Sequence, residues 1–224
     1  MNTKSKCYHN YSEEESESGK KTLIAKEPPG VYGLGNPIRY TYADYLSWMD
    51  DKRREIINGV VYNLFGAPTR SHSKISGSLY AKVWNYIFRR KGKCEIHHAP
   101  FDVRIPQNGE TEDNMIYTVV QPDVCVICDP QKLDERGCIG APDLIVEVQS
   151  PSTAKRDLNE KFNLYESAGV KEYWVVFPHD KAITVFLLQK NGKYNEGITY
   201  GYEGKVPISI FKGLKIDLKE LFGD

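Results

Sequence analysis

The sequence carries no net charge, because 30 Lys and Arg balance 30 Asp and Glu. Bulk electrostatics therefore neither argues for a nucleic-acid partner nor excludes one that meets a local basic surface. Long apolar runs are missing as well. No stretch approaches the ~20 apolar residues that span a bilayer, and the first residues lack the basic start and apolar core of a secretory leader. No membrane partner is expected, and the expected location is the cytoplasm. Cysteine is scarce and odd in number, with five at positions 7, 94, 125, 128 and 138. That spacing offers no disulfide framework, which suits a reducing compartment. Cys125 and Cys128 form a CxxC, but they lie in the strand-like run Val119 to Cys128, where residues three apart point to opposite faces. A zinc knuckle would need a turn there and a second ligand pair, so these cysteines read as buried apolar side chains.

What is present suits one globular unit. The chain has 224 residues, 40% hydrophobic and 27% charged, with 15 tyrosines, enough for one sizeable core and too little for two full domains. Residues 1–35, with Ser12 to Lys21 and Pro28-Pro29-Gly30, are too poor in apolar residues to fold alone and read as a flexible polar arm. Residues 36–224 read as a single domain.

Thr41, with Asp44 three residues on, caps a short helix. Asn58-Gly59 between two apolar runs predicts a β-hairpin. From Ser71 to Arg90, Ile75, Leu79, Val83, Trp84, Ile87 and Phe88 recur at helical spacing, with Arg and Lys gathered at the C-terminal end where the helix dipole favours them. Three strand-like stretches follow, at about 94–105, 117–127 and 142–148, with a Gly-rich charged connector near 134–140. A helix over about 153–168 stops at Gly169, Tyr173 to Phe177 is a buried strand, and a further strand pair turns through Asn191-Gly192 before a tail of polar turns. The expected order is helix, three strands, helix, strand, in an α/β fold with strands added at both ends.

The chemistry concentrates in Gln121-Pro122-Asp123 and in Pro142 to Thr153. A strand otherwise made of Leu, Ile and Val buries both faces, so Glu147 inside it needs a cation. Gln149 shares the Glu147 face by the period of two, and Asp123 is expected in a nearby strand of the same sheet. Two carboxylates with a third polar group make an oxygen site suited to Mg2+ or Mn2+, which accept phosphate oxygens and activate water. On the following helix Asp157, Lys161 and Tyr165 recur every four residues and share a face, so Lys161 can reach back towards the strand ends and stabilise developing negative charge. Its alternative reading is an ordinary Asp157–Lys161 surface pair worth a few tenths of a kcal/mol.

These residues, together with Ser150-Pro151-Ser152-Thr153, Gly169-Val170 and Glu172-Tyr173-Trp174, and upstream Thr41-Tyr42, Glu55, Asn58-Gly59, Pro68 and His72, resemble the signature of the Uma-two family of bacterial endonucleases, a branch of the PD-(D/E)XK superfamily. The resemblance covers about residues 38–190. It implies a restriction-endonuclease-like core, with Asp123 and Glu147 as metal ligands, Lys161 as the catalytic lysine, Glu55 as an additional acidic group and His72 as a group that contacts the scissile phosphate or assists proton transfer. One position departs from the superfamily pattern, which has lysine two residues after the glutamate. Here that residue is Gln149, and the lysine function falls to Lys161 on the next helix. Without the resemblance, Glu55 reads as a half-exposed strand residue and His72 as a helix-start surface residue. Asp143, before the Glu147 strand, reads as an anchor for the connector through backbone hydrogen bonds. His97 and His98 face opposite sides of a strand and make no metal pair, and Tyr173 and Trp174 read as core.

The function expected from this reading is metal-dependent hydrolysis of phosphodiester bonds, with DNA as substrate and a homodimer as the assembly. The alternative is a nuclease-fold protein with little catalysis that serves as a nucleic-acid-binding or homodimeric interaction module.

Overall fold

The computed structural model describes residues 38–64, 67–150 and 158–223, and the backbone of two strands, Tyr11–Glu15 (β1) and Lys21–Ala25 (β2), which pair antiparallel. The remainder of the expected arm, and Pro151, Ser152, Thr153 and Asp157, lie outside the described residues.

Helix α1 (Tyr42–Ser47) starts at Thr41, whose side chain accepts from the Asp44 amide while the Asp44 carboxylate accepts from the Thr41 amide, the reciprocal box that the sequence predicts. Strands β3 (Arg54–Ile57) and β4 (Val60–Asn63) turn at Asn58 and Gly59, both left-handed at φ 52° and 82°. Only glycine suits the second position, because a Cβ there would come within 2.7 Å of Arg39 Cβ. Helix α2 (Arg70–Arg90) is capped by Thr69, whose hydroxyl accepts from the His72 amide, and it buries Ile75, Leu79 and Val83, four residues apart.

The run expected as three strands folds as five, joined by sharp corners: β5 (Glu95–His98), β6 (Val103–Arg104), β7 (Val119–Val120), β8 (Val124–Ile127) and β11 (Leu144–Val148). Pro100 cannot donate to a ladder, so the predicted strand 94–105 is interrupted there. The expected connector near 134–140 instead forms β9 (Leu133–Asp134) and β10 (Gly137–Ile139), an antiparallel pair. Helix α3 (Glu160–Ala168) ends at left-handed Gly169, as predicted. Strands β12 (Glu172–Phe177), β13 (Ala182–Leu187) and β14 (Ile198–Tyr200) follow. The expected tail of polar turns is structured: β15 (Lys205–Pro207) pairs with β16 (Lys215–Asp217), and helix α4 (Leu218–Phe222) buries Leu218, Leu221 and Phe222.

Two six-stranded sheets result, ordered β4-β3-β7-β6-β10-β9 and β14-β13-β12-β11-β8-β5. Strands β11 and β12 run parallel, and β5, β8 and β11 are antiparallel neighbours. The expected order of helix, three strands, helix and strand is thus α2, then β5, β8 and β11, then α3 and β12. Besides the crossing through α2, the chain passes from one sheet to the other four times, between β5 and β6, β7 and β8, β8 and β9, and β10 and β11. One face of the second sheet packs Val124, Val126, Leu144, Val146 and Val148 against α2 and the C-terminal elements. The other packs Cys125, Ile127, Ile145 and Val175 against α3 and the first sheet. No helix among the described residues is long and apolar enough to cross a membrane.

The cysteines depart from the expected absence of a disulfide. Cys94 and Cys128 form a disulfide. They flank the Glu95–Ile127 pair of two adjacent antiparallel strands, so they stand opposite each other, a proximity invisible in a spacing of 34. Cys125 and Cys138 are buried free thiols, and burial pushes the Cys138 thiol up to about 12. The opposite facing of Cys125 and Cys128 holds, since they join different cores.

Candidate active site

Glu147 is the single acid in Leu144–Val148, and the strand period points it to the α3 side of the sheet with Ile145. It is 4% exposed. Two donors from α3 hold its Oε1, Lys161 Nζ at 2.8 Å and Tyr165 OH at 2.8 Å. Lys161 and Tyr165 are four residues apart on one helix face, as predicted, and both are buried. The surface-pair reading of Lys161 is excluded, because its side chain is only 3% exposed. Burial, followed by the nearby carboxylates of Glu147 and Glu55, pushes the Tyr165 phenol well above its usual range, so it stays protonated and donates.

The same ammonium reaches Glu55 Oε1 at 2.8 Å. Glu55 lies on β3 of the other sheet, fully buried and not half-exposed, and its Oε1 also accepts from the Gln121 amide at 2.9 Å. Lys161 therefore ties an acid of each sheet to α3. A buried ion pair of this kind adds little net stability once desolvation is counted, yet removing one partner is costly, typically about 3–5 kcal/mol.

Asp123 lies not in a strand but in the corner between β7 and β8. Its Oδ2 accepts from the Val148 amide at 2.7 Å, which seats the carboxylate at the end of β11 beside Glu147. His72, in the first turn of α2, places Nε2 3.1 Å from the same oxygen. The corner itself is held by Gln121, whose Oε1 accepts from Arg53 Nη2 at 2.8 Å and whose Nε2 donates to Asp102 at 2.9 Å and Tyr45 OH at 3.1 Å. The structure thus brings Asp123 together with His72, and Glu147 together with Lys161 and Glu55. Gln149 is half-buried, and its amide donates to Val176 O at 2.9 Å, extending the β11–β12 pairing. Asp143 faces elsewhere: its Oδ2 accepts from the Cys128 amide at 2.7 Å and its Oδ1 from Lys171 at 2.6 Å, an anchoring arrangement. Tyr165 and Gln121 are the contributors that sequence reasoning quoted without assigning a role. The i, i+4 step from Lys161 was the available signal for Tyr165.

Carboxylate oxygens are the hard donors that Mg2+ or Mn2+ prefer. Among the described residues Asp123 Oδ1 accepts no hydrogen bond, and the side chain is 18% exposed, so one acid oxygen remains accessible from solvent. No group of three or more His, Cys, Asp or Glu among the described residues is assembled as a metal cage. Mg2+ commonly binds through one or two carboxylates plus water and substrate phosphate, so the Asp123–Glu147 set fits that mode. A cleft of about 510 Å3 opens beside Gln121 between Tyr45, His97, Phe101 and Arg136. A larger one of about 710 Å3 lies along another flank of α3, and neither cleft is lined by Asp123, Glu147, Glu55 or Lys161.

Comparison with known proteins agrees with this architecture. A crystal structure described as "a putative nuclease belonging to DUF820" from Anabaena variabilis superimposes with a TM-score of 0.64 at 18% identity, covering 82% of this chain and 97% of the other, which establishes the restriction-endonuclease-like fold. An uncharacterized protein of Synechocystis sp. is 32% identical over 172 residues, 75% of this chain and 81% of its own. The Uma2 family model, described as "Putative restriction endonuclease", matches residues 42–219, from the α1 clasp through the acid–lysine cluster and into α4, and the chain belongs to that family.

Proposed function

We propose that this protein is a metal-dependent endonuclease that hydrolyses phosphodiester bonds of DNA. The observation that carries the reading is the buried Lys161 bridging Glu55 and Glu147 at the strand end where Asp123 is seated. A buried ammonium needs acids around it for stability, but this one sits within a set of carboxylates suited to phosphate chemistry, in a chain of a nuclease-described family.

In this reading Asp123 and Glu147 would hold Mg2+ or Mn2+, which would supply water activation and charge neutralisation at the phosphate. The side chains supply the rest. Glu55 and Glu147 keep Lys161 charged and fixed, so its ammonium meets the negative charge that grows on the phosphoryl oxygens in the transition state. Tyr165 holds Glu147 in one rotamer through Oε1. His72 orients Asp123 and is the candidate to carry a proton at its imidazole. The Gln121 amide fixes Glu55, and through it the lysine. A two-fold pair of such sites would let one assembly cut both strands of a duplex, and sedimentation tests the homodimer.

A second reading rests on Gln149, which stands where the superfamily pattern has its lysine and carries no charge. A protein that keeps the fold and binds DNA with little cleavage would have the same scaffold. Cleavage of plasmid DNA with Mg2+, Mn2+ or EDTA separates the two, since only the first reading gives metal-dependent nicks.

A further inference from the structure

Helix α2 differs from the rest of this neutral chain. Residues 70–94 contain seven Lys and Arg and no Asp or Glu. Its N-terminal end supplies His72 to Asp123, and from Tyr80, two turns on, an i, i+4 ridge of aromatic side chains winds towards the C-terminal end. Tyr80 meets the His98 ring edge-on at 5.1 Å, and one turn further Trp84 stacks on Phe88 with ring centres 4.9 Å apart and planes 9° from parallel. Trp84 is 44% and Phe88 66% exposed, on a helix whose opposite face is buried core. Two cations of the helix are engaged inside the molecule, Lys82 with Glu220 and Lys74 with the Gly223 carbonyl. Arg89, Lys91 and Lys93, beyond the aromatic pair, are exposed.

Parallel exposed rings beside unopposed cations are the combination that binds unpaired nucleotides, bases stacking on the rings and phosphates meeting the cations. A duplex offers no free base faces to such rings, and a protein partner of ordinary composition would leave the cations without acids. From this we infer that the α2 flank from His72 to Phe88 is a docking strip for single-stranded DNA leading into the site, an inference that rests on the proposed nuclease function. At 1.5 Å per residue the strip is about 24 Å long. At about 3.4 Å per stacked nucleotide it accommodates roughly seven nucleotides.

The test is fluorescence anisotropy of a labelled ten-nucleotide single-stranded DNA in EDTA, so that binding is read without cleavage, beside a duplex of equal length. The wild type binds the single strand more tightly than the duplex. Trp84→Ala with Phe88→Ala weakens single-strand binding tenfold or more, and Arg89→Gln with Lys91→Gln lowers the log–log salt slope by about 1.4, at ~0.7 per lost phosphate contact. Binding and cleavage unchanged in both double variants overturn the strip while leaving hydrolysis standing. Strip-dependent binding by a wild type that cuts nothing supports the strip and removes the nuclease reading. Preference for duplex, or conversion of a dimer to a monomer by the aromatic double variant, overturns the inference and assigns the patch to duplex or to a second copy of the chain.

Discussion

Replacing Lys161 with alanine would leave two glutamates, 0% and 4% exposed, facing each other without the ammonium that lies 2.8 Å from each. Loss of one partner from a buried ionic group costs about 3–5 kcal/mol, a large part of the ~5–15 kcal/mol that holds a domain together. Two acids sharing a dry site cannot both stay charged, so the folded variant takes up a proton. A carboxyl that holds its proton in the folded state and loses it in the unfolded state stabilises below the unfolded value of about 4.3 and less as pH rises. The deficit of Lys161→Ala against wild type should therefore grow from pH 5 to pH 8, at up to ~1.4 kcal/mol per pH unit. Urea unfolding in EDTA at both values reads it. A variant as stable as wild type at pH 8, with no pH-dependent difference, would refute the coupling of Lys161 to both glutamates.

Three further outcomes follow from the same geometry. Tyr165→Phe removes one donor from a buried carboxylate and should cost about 1.5–3 kcal/mol in unfolding experiments while lowering kcat for cleavage more than it changes KM; an unchanged kcat would confine Tyr165 to stability. Glu172, buried under Trp174 and Ser209, is raised above its usual range by desolvation, so its contribution is present below about 4.5 and is lost as pH rises through the higher folded value. Glu172→Gln should thus gain on wild type between pH 5 and pH 8 in urea midpoints, and a constant difference would contradict this. Reducing the Cys94–Cys128 bridge, which closes a separation of 34 residues, should lower stability by roughly 3–4 kcal/mol, and thiol titration of the folded oxidised protein should leave buried Cys125 and Cys138 unreacted.

Local chemistry was legible in the sequence wherever neighbours in the chain decide the structure. Thr41 with Asp44, Asn58-Gly59, the Ile75, Leu79 and Val83 face of α2 and Gly169 fold as their patterns indicate, because caps, tight turns and amphipathic faces are settled within a few residues, whereas Trp84 and Phe88 of the same expected stripe stay exposed. Glu147 was legible because a lone acid in an apolar strand needs a cation, and the helical step placed Lys161 within reach. Features set by crossings between the sheets were not legible. Glu55 alternates on a hairpin that elsewhere could face water, and only the packing of β3 against β7 buries it. Asp123 continues an apolar run, so its place in a corner depends on the chain changing sheets. Cys94 and Cys128 meet because β5 pairs with β8, a register that no spacing encodes. The 133–139 hairpin is too short and polar to show alternation.

The most direct test of the account is cleavage of plasmid and single-stranded DNA by purified wild type, Glu147→Ala and Lys161→Ala, with Mg2+, Mn2+ or EDTA and folding checked by circular dichroism. The account predicts cleavage by the wild type only with a divalent ion, and its loss in both folded variants. Equal cleavage by folded Glu147→Ala, or none by the wild type with either metal, would contradict it.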